Sequence, residues 1–117
     1  MLLIDEAARV DDMTYMALRP TLAMADGDLW LMSTPCGKRG FFYEAWKRGG
    51  PEWRRVRVPA TECPRIPEAF LTEERLVMGN RWFRQEYLCE FVDIDAHVFD
   101  ADVVEKALDD KLAELKV

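Results

Sequence analysis

The first residues with recognisable chemistry are two acids that directly follow an apolar run. Asp5 and Glu6 come immediately after Leu2-Leu3-Ile4. If that run is a buried strand, Asp5 at its end can hold Mg²⁺ through the water shell of the ion. Glu6 can then polarise a water molecule for in-line attack on a phosphate. A strand that ends at an acidic helix start explains the pair equally well.

A second apolar run ends in small hydroxyl residues. Residues 29–32 are followed directly by Ser33-Thr34-Pro35. Ligands of open α/β sheets collect at the carboxyl ends of the strands, so we expect these hydroxyls to lie beside Asp5 and Glu6 if the two runs are neighbouring parallel strands. There they can sense a γ-phosphate by a hydrogen bond that is lost on hydrolysis. The alternative is an ordinary Ser-Thr-Pro turn.

The elements that position these residues are predicted from the apolar pattern. Neither apolar run alternates with polar residues, which is typical of strands buried on both faces of a parallel sheet. A helix is predicted from Asp11, interrupted or restarted at Pro20. A second helix is predicted at 41–48, ended by Gly49-Gly50, and a third strand at 53–58. The first half therefore predicts an α/β fold with a βαβαβ order of elements.

The second half is predicted to be helical. Thr72 is a reasonable N-cap for a helix that breaks at Gly79-Asn80 and then restarts. Residues 102–116 predict an amphipathic helix whose apolar side lies on this core or on another chain. Aromatic side chains at a spacing of four residues are more often core than cofactor contacts, and here they are Phe83, Tyr87 and Phe91, with Trp82 on the same flank.

The composition limits the size and setting of the protein. With 117 residues, 50% of them apolar, the chain can bury one modest core. Its net charge of −6 gives no general attraction for a nucleic-acid backbone, so any such contact has to be local. Three cysteines without a Cys-x-x-Cys pair predict reduced thiols, and no apolar run approaches the ~20 residues that cross a bilayer. We expect a cytoplasmic protein without membrane contact.

Four stretches together resemble the large terminase subunit of tailed bacteriophages, the ATP-driven motor that pushes DNA into the procapsid. They are LLIDEAARVDD at 2–12, LRPTLA at 18–23, LWLMSTPCGKRGFFYEAW at 29–46 and RWFRQEYLCEFVD at 81–93. By this resemblance Asp5 is the Walker B metal acid and Glu6 the catalytic glutamate. Ser33-Thr34-Pro35 is then the coupling motif that links hydrolysis to movement.

The resemblance implies a partial P-loop NTPase-type parallel sheet, with Mg²⁺ and ATP as cofactors of the intact protein. The implied partners are double-stranded DNA, a portal protein and a small terminase subunit. The implied location is the cytoplasm of a bacterial host that is infected by a phage or carries a prophage. Residues 1–60 are expected to be the Walker B and coupling part of the ATPase core. Residues 61–117 are expected to be a helical region and linker toward a nuclease domain.

Family members also carry parts that these 117 residues do not contain. One is a Gly-rich phosphate-binding loop before the acids, and another is an RNase H-like nuclease domain. Gly37-Lys38 is followed by Arg39 rather than Ser or Thr, and no glycine opens a loop before it, so it is rejected as a phosphate cradle. The acids from Asp93 onward favour a solvated linker over a nuclease site, because they lie in one short stretch.

Two hypotheses for the function of the chain follow from these patterns and from the resemblance. The leading hypothesis is a fragment of a packaging ATPase that hydrolyses ATP poorly or not at all by itself, because nothing in the chain positions the phosphates. The alternative is an inactive prophage remnant that acts at most as a protein-docking module. In that case an open sheet edge and the C-terminal helix bind another polypeptide or a second copy of the chain.

Seven basic residues stand among aromatic side chains between positions 38 and 57. Lys38 and Arg39 are the candidate contacts for DNA, and Arg39 is also a candidate for reaching the nucleotide of a neighbouring subunit. A solvated helix face and an edge strand protected by charge explain the same cluster without a ligand.

Overall fold

The computed structural model describes residues 1–24 and 26–93, which mix helix and strand as an α/β protein does. The strands are β1 (Leu2–Ile4) and β2 (Leu29–Leu31). The helices are α1 (Asp12–Leu18), α2 (Pro20–Ala23), α3 (Gly40–Arg48) and α4 (Glu68–Glu86), with short 3₁₀ turns at Ala7–Arg9 and Ala60–Glu62. None of the described helices is both long and apolar enough to cross a membrane. The helix predicted at 102–116 lies outside the described residues.

The two strands form a parallel pair in which Leu3 lies opposite Trp30. The inner face of this sheet packs on a small core centred on Ile4, Ala7 and Tyr15. On the outer face Leu3 and Trp30 are 48% and 54% exposed. The prediction of strands buried on both faces is therefore wrong for the described residues, because their packing partners lie on one side of the sheet only.

α1 begins at a side-chain cap. The Oδ1 atom of Asp11 accepts a hydrogen bond from the backbone N–H of Thr14 at 2.8 Å, and Oδ2 accepts one from the Thr14 hydroxyl at 2.6 Å. These bonds satisfy a backbone donor that the first helical turn leaves unpaired. The predicted restart at Pro20 is confirmed, because α2 has this residue in its first position.

α3 is held against α1 by one polar and one aromatic contact. The Oδ1 atom of Asp12 accepts a hydrogen bond from the backbone N–H of Phe41 at 2.8 Å. The rings of Tyr15 and Phe41 stack 3.9 Å apart and nearly parallel. The loop that leads into α3 turns at Gly37 and Gly40, whose φ angles of 69° and 81° favour glycine. Through Phe41 and Phe42, α3 packs against the small core of Ile4, Ala7 and Tyr15.

The predicted third strand at 53–58 is wrong. These residues are neither helix nor strand, and Val56 and Val58 are 66% and 60% exposed. The guanidinium of Arg55 instead donates to the backbone oxygens of Ala45, Trp46 and Gly49 at the end of α3, at 3.0, 2.7 and 2.5 Å. The chain thus turns back onto a helix end, whereas a strand needs a hydrogen-bonding partner. α3 ends at Gly49, as predicted.

α4 differs from its prediction at its start. Its N-cap is Pro67, and the Thr72 hydroxyl donates to the backbone oxygen of Glu68 inside the helix at 3.0 Å, so Thr72 is not the N-cap. An intrahelical acceptor is within reach of Thr72 because the helix already starts four residues earlier. The predicted break is confirmed at Gly79, which has a φ of 80° and a ψ of 158°.

The aromatic stripe is confirmed in part. Phe83 is 2% exposed and stacks on Tyr87 at 5.2 Å. Phe91 follows the end of α4 and packs on aromatic side chains of α3 instead, because the helical spacing no longer applies there. Trp82 is 54% exposed and is not a core residue.

Candidate functional site

The predicted acids lie at the carboxyl end of β1. Ile4 is buried, whereas Asp5 and Glu6 are exposed. Glu6 has a φ of 50°, in the left-handed region that residues with a side chain seldom adopt, and its backbone N–H donates to Oδ1 of Asp5 at 2.9 Å. The chain then enters the 3₁₀ turn, where Ala7 is fully buried. This sharp turn presents both carboxylates at the edge of the sheet.

The predicted hydroxyl residues lie directly beside this turn. The backbone N–H of Ala7 donates to the backbone oxygen of Met32 at 3.0 Å. The backbone N–H of Ala8 donates to the Ser33 hydroxyl at 3.1 Å, and that hydroxyl donates to the backbone oxygen of Thr34 at 2.6 Å. The parallel register therefore brings the acids and the hydroxyls together, as expected. Their contact with a nucleotide stays a prediction.

Arg9 lies at the centre of the polar contacts at this edge. Its Nη1 atom donates to Oε2 of Glu6 at 2.7 Å and to the hydroxyl of Thr34 at 3.0 Å. Its Nη2 atom donates to Oε1 of Glu86, at the end of α4, at 2.7 Å. One guanidinium thus connects the predicted catalytic glutamate, the predicted coupling segment and a helix from the second half of the chain.

Glu86 accepts three hydrogen bonds from the part of the chain that the structure describes. Besides the bond from Arg9, its Oε1 atom accepts one from the side-chain amide of Gln85 at 3.0 Å, and Oε2 accepts one from the Thr34 hydroxyl at 3.0 Å. Gln85 is 5% exposed, so this end of α4 is packed into the molecule. Neither Arg9 nor Glu86 was predicted from the sequence. A spacing of three residues from Glu6 was an available signal for Arg9, but a partner 77 positions away gave none.

Opposing effects act on the pKa of Arg9. Partial burial works to lower the pKa of Arg9, but the charges of Glu86 and Glu6 and the hydrogen bond to Glu86 raise it, and the net change in the pKa is upward. Arg9 therefore stays cationic and can bind both carboxylates.

The remaining site predictions fall on the loop that leads from β2 to α3. Pro35 is buried and follows the two hydroxyl residues. Lys38 donates to Oδ2 of Asp93 at 2.7 Å, and this hydrogen bond together with the charge of Asp93 raises the pKa of Lys38. Arg39 is exposed at the N-cap of α3 and forms no ion pair with another residue of 1–24 or 26–93. Their contact with DNA or with a neighbouring subunit stays a prediction.

The basic and aromatic stretch borders an open cleft of about 430 Å³ between α3 and the segment after α4. Two of the three basic side chains that line the cleft are engaged within the protein. Lys38 pairs with Asp93, and Arg57 donates to the backbone oxygen of Leu88 at 2.6 Å. These bonds favour a structural role for this part of the cluster. The cleft is lined by Lys38, Tyr43, Trp46, Lys47, Arg57, Cys89, Glu90 and Phe91.

Comparison with known proteins agrees with the family resemblance of the sequence. The chain is 30% identical over 106 residues to the terminase large subunit of Escherichia phage T5, a match that covers 85% of this chain and 24% of that protein. The chain thus spans about a quarter of the length of the curated relative it matches. No protein-family model matches the chain, and no solved structure matches it. The identity supports a distant relationship between this chain and phage terminase large subunits.

Proposed function

We propose that the chain carries the catalytic acids and the coupling segment of a terminase-type ATPase, which in the intact protein couples ATP hydrolysis to the movement of double-stranded DNA into a procapsid. The observation that carries this proposal is that β1 and β2 are parallel neighbours, so that their carboxyl ends lie side by side. There the turn that carries Asp5 and Glu6 lies beside Ser33 and Thr34. The hydrogen bond from the backbone N–H of Ala8 to the Ser33 hydroxyl connects the two segments.

The assigned roles fit the surroundings of each side chain. Asp5 is exposed, and its Oδ1 atom is bound to its neighbour's backbone, so Oδ2 can face the water shell of Mg²⁺, an ion that prefers oxygen ligands and keeps several waters. The side chain of Glu6 is 61% exposed and can reach a water molecule. Mg²⁺ would neutralise charge on the phosphates, while Thr34 would respond to the γ-phosphate.

Phosphate affinity has to come from outside these residues. The chain contains no Gly-x-x-x-x-Gly-Lys-Ser/Thr sequence. Gly37 is buried and Lys38 pairs with Asp93, so that dipeptide does not present a phosphate cradle. We expect these 117 residues alone to hydrolyse ATP poorly or not at all. A portal protein and a small terminase subunit are proposed as partners of the intact protein only.

The first test is to sequence the DNA on both sides of the reading frame. An in-frame phosphate-binding loop upstream, with no stop codon before Met1, supports the proposal. Hydrolysis by the longer protein should then fall by about 10²–10⁴-fold in Glu6→Gln, the usual contribution of a general base. Asp5→Asn should lower hydrolysis at least as much, whereas Glu73→Gln, at an exposed acid in α4, should leave it unchanged. A stop codon or unrelated sequence upstream would overturn the proposal.

The outer face of the sheet favours a second candidate, a docking module that pairs with a second copy of the chain. Leu3 and Trp30 are 48% and 54% exposed on the two short strands, Met32 directly after β2 is 43% exposed, and parallel sheets are usually covered on both faces. Sedimentation of the chain should show self-association that Trp30→Gln weakens and Trp82→Gln, equally exposed but on α4, does not. A monomer at every concentration would contradict this candidate.

A further inference from the structure

We infer that Glu6 and Glu86 compete for Arg9, so that Glu86 controls how tightly Arg9 restrains the predicted catalytic base. This inference rests on the proposed function for its catalytic consequence. Its physical content, a guanidinium shared by two acids, stands on the hydrogen bonds at the edge of the sheet. Arg9 and Glu86 are then positioning residues for Glu6.

The geometry of Arg9 supports sharing. Its two terminal nitrogens donate to different acids, each at 2.7 Å, so neither acid has the two-pronged contact that a guanidinium can give to a single carboxylate. Removing one acid leaves the fork free to bind the other in full. A lysine at this position offers a single point of charge and cannot hold both acids in the same way.

The two acids differ in how firmly they are held. Glu86 is 28% exposed and also bonded to Gln85 and Thr34, and the backbone oxygen of its neighbour Tyr87 accepts a hydrogen bond from Ala60 at 2.7 Å. The Glu6 side chain is 61% exposed, and Arg9 is its one ion-pair partner within residues 1–24 and 26–93. Glu86 is thus the stationary partner of Arg9, and Glu6 is the partner that can leave.

Release of Glu6 matters because the bond from Arg9 occupies one acceptor position of Oε2 and holds the Glu6 side chain in one orientation, so a released Glu6 can turn toward a water molecule. The Nη1 atom that holds Oε2 of Glu6 also donates to the hydroxyl of Thr34. When the Thr34 hydroxyl changes its hydrogen bonds, the bond that it accepts from Nη1 of Arg9 changes too. Because the same nitrogen holds Glu6, the bond to Glu6 changes with it. A change in the predicted coupling segment therefore reaches the base through Arg9, with Glu86 keeping the guanidinium at the edge of the sheet.

The competition is tested by NMR on the chain itself, with signals for the Glu6 carboxyl carbon and the Arg9 guanidinium. Glu86→Gln should strengthen the pair between Arg9 and Glu6, while Arg9→Gln removes it, so the Glu6 signal should move in opposite directions in the two variants. In the Arg9→Gln background, the further change Glu86→Gln should leave the Glu6 signal where it is. Shifts in the same direction, or no shift in Glu86→Gln, would overturn the inference.

A matched control lies near the same end of α4. Arg84 and Glu90 form an ion pair of the same length, 2.7 Å, with similar side-chain exposures of 46% and 32%. Glu90→Gln should leave the Glu6 and Arg9 signals unchanged. Circular dichroism of all variants checks that the helices are retained, so that loss of structure is not mistaken for competition.

The catalytic consequence is tested in a longer protein that supplies a phosphate-binding loop. Arg9→Gln should raise the basal kcat, and Glu86→Gln should lower it, each by about two- to fivefold, which is the range that an exposed ion pair can account for. A merely structural role would lower kcat in both. If Glu6→Gln leaves hydrolysis intact, the proposed function fails while the NMR result on sharing still stands. If Glu6→Gln abolishes hydrolysis but both other variants lower it, only the present inference fails.

Discussion

Arg55 and Arg9 each hold several oxygen atoms, and the oxygens differ in kind. Arg55 donates to main-chain carbonyls at the end of α3, whose positions are set by the helix. Arg9 donates to two carboxylates and a hydroxyl, which all belong to side chains, and the exposed carboxylate of Glu6 can rotate away. Fixed acceptors make a cap that stabilises the fold. Movable acceptors make a junction whose partners can change, and this is the property that the proposed coupling role needs.

The largest expected effect concerns the close packing around Arg55. A Cβ atom at Gly49 would collide with the backbone oxygen of Ala45 and lie 2.6 Å from Cδ1 of Trp53 and 2.9 Å from Nη2 of Arg55. Gly49→Ala should therefore lower the free energy of unfolding by about 3 kcal/mol, the upper end for overpacking. Urea denaturation measures the loss.

Gly50→Ala is the matched control for this substitution. The new Cβ would meet only the flexible carboxylate of Glu52, whose nearest oxygen lies at 2.6 Å and can swing away. Its unfolding midpoint should stay near that of the unchanged chain. Equal losses in the two variants would show that the end of α3 is not closely packed around Gly49.

The next effect comes from the cap itself. Arg55→Lys retains the charge but cannot reach three carbonyls at once, and we expect it to cost about 1–2 kcal/mol of unfolding free energy. Arg54→Lys, at the neighbouring exposed position, should cost little. Thermal unfolding compares the two variants, and similar midpoints would remove the distinction between a capping arginine and a surface one.

A smaller effect on the free energy of unfolding is expected at Arg9. A double-mutant cycle with Arg9→Gln and Glu86→Gln should give a coupling energy of about 0.5–1 kcal/mol, because the pair is partly exposed. This coupling should weaken as salt is raised, whereas the loss in Arg55→Lys should depend less on salt because its acceptors carry only partial charges. Equal salt dependence in the two cases would contradict the comparison.

The smallest effect concerns the pH dependence of the N-cap of α1. This cap is the Asp11 side chain, which is held in place by two hydrogen bonds from Thr14. The hydrogen bonds from Thr14 lower the pKa of Asp11. Because the folded pKa lies below that of the unfolded chain, the contribution of Asp11 is present above the ordinary carboxyl range and is lost as pH falls through the lowered value. Asp11→Asn keeps a capping oxygen without this titration. The difference in melting temperature between the two chains should change between about pH 6 and about pH 3.

Much of the sheet edge was predictable because it depends on short-range pattern. Two apolar runs ending in acids and hydroxyls were sufficient to predict parallel neighbours, and Pro20 and Gly79 were sufficient to place a restart and a break. The alternation at 53–58 predicted a strand, but it could not show that Arg55 would find backbone acceptors on α3. The four-residue spacing continues in the sequence to Phe91, but α4 ends at Glu86, so the spacing did not place Phe91 on the helix. Glu86 could not be placed beside Arg9 at all, because that contact depends on how the two halves of the chain pack.

The kinds of acceptor also predict how substitutions are tolerated over evolutionary time. Positions 45 and 46 supply only main-chain oxygens to Arg55, so the bonds of this arginine do not depend on which side chains stand there. Arg9 depends on the identity of three other side chains, at positions 6, 34 and 86. Among relatives, a replacement at any of these four positions should be accompanied by a compensating replacement at another, so the edge of the sheet is inherited as a unit.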